Sequence, residues 1–156
     1  MTKRNPALVP LSRDHHDGLL LAVRLQQGTG ALMRLWSHEP SWQATFIVEF
    51  YDRHLRRHFR AEDEVMFPAA EKHSPATQSL VAGLTADHRE MERRVEAFRA
   101  SVATATREQL AEFGRLLEEH IRKEERQLFP AFERTAGTDV LAALERQIQS
   151  YYALPT

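Results

Sequence analysis

The chain has 156 residues, enough for one compact domain around a single core. Its 21 Lys and Arg stand against 22 Asp and Glu, and a formal net charge of −1 provides no overall field to attract a nucleic acid. Cysteine is absent, which excludes disulfides, iron–sulfur ligation, thiolate zinc sites and cysteine nucleophiles, so any metal must be bound by His, carboxylate or water. No stretch approaches the roughly 20 apolar residues that cross a bilayer. The N-terminus, Met1 to Gly18, is polar, carries Pro6 and Pro10 and lacks the apolar run of a signal peptide, so the expectation is a soluble cytoplasmic protein with no membrane partner. Eight histidines remain to be explained.

Apolar residues recur at spacings of three and four throughout, without the alternation or β-branched clusters of strands, and this predicts an all-α fold. The first helix is expected to follow Ser12 as N-cap and to run past Leu19, Ala22 and Val23 to about Trp36, weakened at Gly28 and Gly30. A loop from Ser37 to Ser41 contains Pro40. The second helix carries Phe46, Phe50, His54, His58 and Glu62 in steps of four, and Pro68 is expected to end or kink it. Ser74-Pro75 reads as an N-cap followed by proline at the first helical position. The third helix presents Leu80, Leu84, His88, Met91, Val95, Phe98 and Val102 on one face, with His88 its one polar member. Thr106 and Gln109 have the spacing of a capping box, and Leu110, Phe113, Leu117, His120, Glu124 and Leu128 form the buried face of the fourth helix. After Gly137, Thr138 is placed to cap a short terminal helix whose Val140, Leu141, Leu144 and Ile148 lie over one end of the bundle. The expected layout is a single domain over 1–156, with the bundle over about 12–134 and the terminal helix over about 138–153.

An internal repeat turns this pattern into chemistry. An offset of 62 aligns His58 with His120, Glu62 with Glu124, Phe67 with Phe129 and Pro68 with Pro130, giving seven identities in the fourteen positions from His58 to Glu71. Leu11, Asp14 and His15 likewise match Leu84, Asp87 and His88. The chain therefore reads as a duplicated helical hairpin, each copy supplying one His from its first helix and a His-x-x-x-Glu pair from its second. Residues four apart share a helix face, so each pair can converge on one centre. Four imidazoles and two carboxylates in a water-poor core call for compensating cations. If each Glu bridges two ions, eight donor atoms serve a pair of roughly six-coordinate metals and leave positions for a bridging oxygen and an exogenous ligand. Mixed imidazole and carboxylate ligation suits iron, with manganese or zinc allowed by the same chemistry.

From Leu11 to about Phe132 these motifs resemble the haemerythrin-like, or HHE cation-binding, domains. The resemblance implies an up-down-up-down four-helix bundle with a non-haem di-iron centre, and carries ligand roles onto His15, His58, Glu62, His88, His120 and Glu124. Oxygen-carrying haemerythrins have a second histidine one turn after the first on the third helix, where this sequence has Glu92, open to reading as a ligand or as a salt-bridged surface residue. Their last carboxylate follows its His by five residues. Here Glu124 and Glu125 are both available, and the repeat favours Glu124 because it pairs with Glu62. His54 shares the face of His58 but aligns with Leu116. His16 points away from His15, His38 and His73 fall in loops, and Asp14 and Asp87 are placed either to orient the neighbouring histidines or to favour the helix dipoles. The Phe-Pro pairs read as packing and helix-ending features.

The functional expectation is a di-iron protein that binds or reacts with a small diatomic ligand, oxygen or nitric oxide, in sensing or redox response. The alternatives are a di-iron enzyme acting on oxygen, peroxide or nitric oxide, and an iron storage or homeostasis protein. Replacement of a neutral histidine by Glu92 argues against reversible oxygen carriage, and a sensor of this size is expected to need a separate protein partner.

Overall fold

A computed structural model describes residues 3–27 and 36–154. Helix α1 (Val9–Gln27), α2 (40–73), α3 (Gln78–Ala100), α4 (107–135) and α5 (Thr138–Ala153) account for nearly all of them, and there is no strand among the described residues. The first four form an up-down-up-down bundle in which α1 packs most extensively against α4, and α5 lies against α2 and the turn preceding α1.

Helix starts differ from expectation where proline intervenes. The chain enters α1 through a 3-10 turn, Pro6–Leu8, capped by the Asn5 side chain, which accepts a hydrogen bond from Ala7 N at 3.0 Å. Ser12 therefore lies inside α1, and its hydroxyl donates to Glu125 at 2.6 Å instead of capping. Trp36 is outside any helix, and Gly28 and Gly30 lie outside the described residues. Pro40 begins α2 at a position where a missing N–H costs nothing. Ser74 precedes a second 3-10 turn, Pro75–Thr77, but its hydroxyl is paired with Thr135. The Thr106–Gln109 capping box forms in both directions, at 3.2 Å and 3.0 Å. Thr138 is the first residue of α5, with Gly137 at the cap.

Neither Pro68 nor Pro130 ends its helix. Each is preceded by a single π turn, Glu62–Met66 and Glu124–Leu128, after which the helix continues to His73 and Thr135. Phe67 N donates to Glu62 O and Phe129 N to Glu124 O, five residues back. Proline has no N–H and presses on the carbonyl four residues earlier, and the wider turn removes that conflict without breaking the helix. It also rotates Phe67 and Phe129 back toward the bundle interior, onto the side occupied by Glu62 and Glu124. A third π turn, Tyr51–Leu55, has no repeat counterpart.

The buried apolar residues separate into two clusters. One contains Leu21, Leu25, Ile47, Leu55, Phe59, Met91, Val95, Phe113 and Leu117, and the other contains Leu8, Leu11, Met66, Phe67, Leu84, Leu128, Phe129, Phe132 and Ile148. On each of the first four helices buried polar residues lie between the two sets: His15 on α1, His58 and Glu62 on α2, His88 on α3, His120 and Glu124 on α4. The bundle thus carries a polar layer between two apolar floors.

Close approach of α1 and α4 is made possible by Gly114, where a Cβ would stand 2.7 Å from Ala22 O and 3.0 Å from Leu25 Cβ. Gly83 on α3 has nothing within 4 Å of the same position. Gly114→Ala is expected to lower stability by about 1–2 kcal/mol net, since overpacking outweighs the gain in helix propensity. Gly83→Ala is expected to raise stability by about 1 kcal/mol. Denaturant unfolding of the two variants checks both signs.

Candidate metal centre

The polar layer brings together six side chains, one from α1, two from α2, one from α3 and two from α4. His58 and Glu62, like His120 and Glu124, are one helical turn apart and project from the same face. Their donor atoms form two groups, His15, His58, Glu62 and Glu124 in one, and Glu62, His88, His120 and Glu124 in the other, with all atoms of a group within 4.8 Å of one another. Glu62 and Glu124 belong to both. Glu62 Oε1 lies 2.9 Å from His58 Nε2 and 3.4 Å from His15 Nε2, while its Oε2 lies 3.0 Å from His88 Nε2. Glu124 divides in the same way, with Oε2 at 2.8 Å from His15 Nε2 and Oε1 at 3.4 Å from His120 Nε2. Each carboxylate turns one oxygen to each group.

These contacts are convergence rather than hydrogen bonding. Both oxygens of Glu62, both of Glu124 and His15 Nε2 are buried without a partner of hydrogen-bonding geometry. His88 Nε2 and His120 Nε2 lie 3.1 Å apart. Each of those rings has Nδ1 against a carboxylate, which places the proton there and leaves two Nε2 lone pairs facing each other in the neutral rings. Such an arrangement is repulsive unless a cation sits between the donors. The donor set and its orphaned atoms fit a cation in each group.

The electrostatics point the same way. Burial works against charge at every one of the six. At His58 the Glu62 and Asp14 carboxylates outweigh burial and raise the pKa to about 9. His15, His88 and His120 are raised for the same reason, His15 by Glu124, Glu125 and Glu62, His88 by Asp63 and Glu62, and His120 by Glu124 and Asp87. Glu62 is held well below its ordinary value by His58, His120 and His15, and Glu124 is lowered by His120 and His15 against both burial and the Glu62 charge. Two buried carboxylates therefore demand positive charge at this spot, which bound cations supply in place of protons.

Every imidazole is held from behind. His58 Nδ1 meets Asp14 at 3.1 Å, His120 Nδ1 meets Asp87 at 3.3 Å, His88 Nδ1 meets Asp63 at 2.8 Å and His15 Nδ1 meets Glu125 at 2.7 Å. Backing carboxylates of this kind fix the ring and its tautomer so that Nε2 is presented to a metal. The family model described as Hemerythrin HHE cation binding domain matches residues 8–132. The chain belongs to that family. No curated protein and no solved structure matches it. No helix among the described residues is long and apolar enough to cross a membrane.

Within this HHE domain several sequence expectations are refined. Asp14 and Asp87 do orient histidines, but on the next helix rather than beside themselves in sequence, because adjacent helical residues point about 100° apart. Glu125 is the partner of His15, held down to about 2 against burial by His15, Ser12 and Arg4, and is absent from both donor groups. Asp63, its equivalent at offset 62, was not singled out by sequence reasoning, and the signal was an acidic residue following the shared Glu in both copies. Glu92 is 30% exposed, pairs with Arg89 at 3.4 Å and enters neither group. His54 is exposed and its ring packs on Phe50 at 5.1 Å. His16 and His38 are exposed, and His73 lies partly buried at the end of α2. The Phe-Pro phenylalanines line the centre: Phe67 stacks on His88 at 5.3 Å and Phe129 on His15 at 5.5 Å, joined by Phe59 on His88 at 4.0 Å.

A graded response to mutation follows. Glu62→Ala and Glu124→Ala are each expected to lose at least one metal per chain, and Asp63→Asn to weaken binding by roughly 10–100-fold through the loosened His88 ring. His54→Ala, His38→Ala and His73→Ala are expected to keep the wild-type content. Elemental analysis of protein loaded under identical conditions decides, and metal loss in His54→Ala equal to that in His58→Ala would show the donor set drawn too narrowly.

Proposed function

We propose that the HHE domain holds two iron ions, one in each donor group, and uses them to bind or react with a small diatomic ligand, oxygen or nitric oxide, in a cytoplasmic sensing or redox response. The observation that carries the two-ion reading is the division of Glu62 and Glu124, each with one oxygen toward His15 and the other toward the His88–His120 pair. A single closed tetrahedral site would need four donors and leave the remainder buried and unpaired. Imidazole with carboxylate suits iron, and bound iron supplies one-electron chemistry together with positions for a small ligand.

The chain's own residues divide the remaining work. Asp14, Asp63, Asp87 and Glu125 hold the four rings, so that little reorganisation accompanies binding. Phe59, Phe67 and Phe129 stack on two of those rings and exclude water from them. Glu92, turned out to Arg89, places no donor where an oxygen carrier has a further histidine. Each group then has two imidazoles and a share of two carboxylates, an anionic donor set with room for exogenous ligands. This composition favours the oxidised pair and supports redox reactivity or sensing over reversible carriage.

Protein made with adequate iron is expected to contain about two irons per chain, and chelation to lower its melting temperature, because binding to the folded state alone is stabilising by linkage. One zinc per chain that iron cannot replace, or an unchanged melting temperature after stripping, would defeat the reading.

When the protein is reduced anaerobically and exposed to oxygen, its charge-transfer bands are expected to settle into an oxidised spectrum that lowering the oxygen pressure does not reverse. Nitric oxide is expected to bind the reduced form. Full reversal over many oxygenation cycles would restore the carrier function.

A further inference from the structure

The two halves of the centre are related by the repeat, yet their outer carboxylates are not backed alike. Glu125, behind His15, is bonded to Arg4 at 2.7 Å, and Asp63, behind His88, is bonded to Arg89. Asp87, behind His120, is bonded to the Lys123 ammonium. Asp14, behind His58, receives instead the hydroxyl of Tyr152, from α5. The difference is written in the sequence, because the repeat counterpart of Lys123 is Ala61, a buried methyl that has no charge to offer. Tyr152 lies beyond residues 8–132, the part of the chain that matches the family. Arg57 is stacked on the Tyr152 ring, 4.8 Å from its centroid, and acts on Asp14 through its charge rather than through a hydrogen bond.

A carboxylate that accepts the Nδ1 proton of a ligating histidine makes its Nε2 a stronger donor. A cation bonded to the same carboxylate draws off part of that effect, whereas a neutral phenol orients the carboxylate and leaves its charge in place. The cross-hairpin pairs, Glu125 with Arg4 and Asp63 with Arg89, match in charge, so the halves differ in what bonds the carboxylate within each hairpin: the Lys123 ammonium bonds Asp87 directly, whereas Asp14 is bonded by the Tyr152 phenol and meets the Arg57 charge only through space. Resting on the two-ion reading above, we infer that Tyr152 is a positioning residue for His58, and that it makes His15–His58 the stronger donor half of an inequivalent pair. The half that holds His88 and His120 then keeps its ion in the reduced state more readily.

Stepwise anaerobic titration of the metal-free protein with ferrous iron tests the positioning role. Tyr152→Phe is expected to weaken one of the two binding steps by about tenfold and spare the other. Tyr151→Phe, which removes a neighbouring hydroxyl that bonds Glu64 away from the centre, is expected to spare both. Wild-type affinities in Tyr152→Phe, or an equal loss in both steps with a lower melting temperature of the metal-free protein, would overturn the role. The asymmetry is read from the Mössbauer spectrum of the fully reduced, iron-57-loaded protein. Two resolved quadrupole doublets are expected in the unmutated chain, moving together in Lys123→Gln, whose side chain is partly exposed and outside both donor groups. Doublets unchanged by Lys123→Gln would overturn the charge argument. Fewer than two irons in the unmutated protein would overturn the two-ion reading and this inference together, while two irons indifferent to both variants would overturn this inference alone.

Discussion

Two glutamates with no solvent exposure, facing each other across the middle of a helical bundle, are the constraint that organises this molecule. A buried carboxylate without compensation costs several kcal/mol, and two of them repel as well. Everything around Glu62 and Glu124 answers that cost. Four imidazoles approach their oxygens, a carboxylate stands behind every imidazole, and three of those four carboxylates are bonded in turn to Arg4, Arg89 or Lys123. Charge alternates outward from the centre, so that no layer is left to face the apolar floors uncompensated. The innermost layer alone remains short of positive charge, and that is where the cations of an HHE domain belong.

The internal repeat explains how so many groups meet. Asp14 with His58 and Asp87 with His120 join the two helices of a hairpin, whereas Glu125 with His15 and Asp63 with His88 join one hairpin to the other. The same bonds that orient the donors thus fix the hairpins against each other. The two π turns serve the same geometry. Inserting one wide turn after each shared Glu lets Phe67 and Phe129 cover the histidines of α3 and α1, and lets a proline follow without ending the helix.

Much of this was legible in the sequence because the repeat carries it. Periodicity alone places His88 on an apolar face, but only the offset of 62 separates His58 from His54 and favours Glu124 over Glu125, and the structure brings together the residues chosen in that way. The layer of carboxylates behind the rings was half legible. Asp14 and Asp87 stand out beside histidines, yet sequence adjacency suggests the wrong partner, since the bond runs to the neighbouring helix. Asp63 was hidden by its likeness to any acidic residue in a charged run. The prolines misled for a different reason: removal of a backbone donor can be absorbed by a π turn as well as by a break, and nothing local distinguishes the two. Tyr152 has no repeat partner and stands in a terminal helix whose sequence pattern carries only packing residues, so only the docking of α5 reveals it.

Departures from symmetry are where such a duplicated site can become specific. A perfect repeat would give two ions with identical surroundings and no preference between them. Here the inner donors keep the symmetry, because both carboxylates have to span both positions, while the outer positions vary freely: Lys123 against Ala61, Arg57 against Glu119, Asp63 against Glu125. The polar layer also separates the two apolar clusters, so the halves of the core adjoin through the charged groups rather than through continuous packing. A change in charge at the centre is therefore felt on both sides of the layer, and α5, docked against α2 near Glu62, lies within reach of that change. The terminal helix thus covers one apolar end of the bundle with Leu144 and Ile148 and also reaches the polar layer through Tyr152.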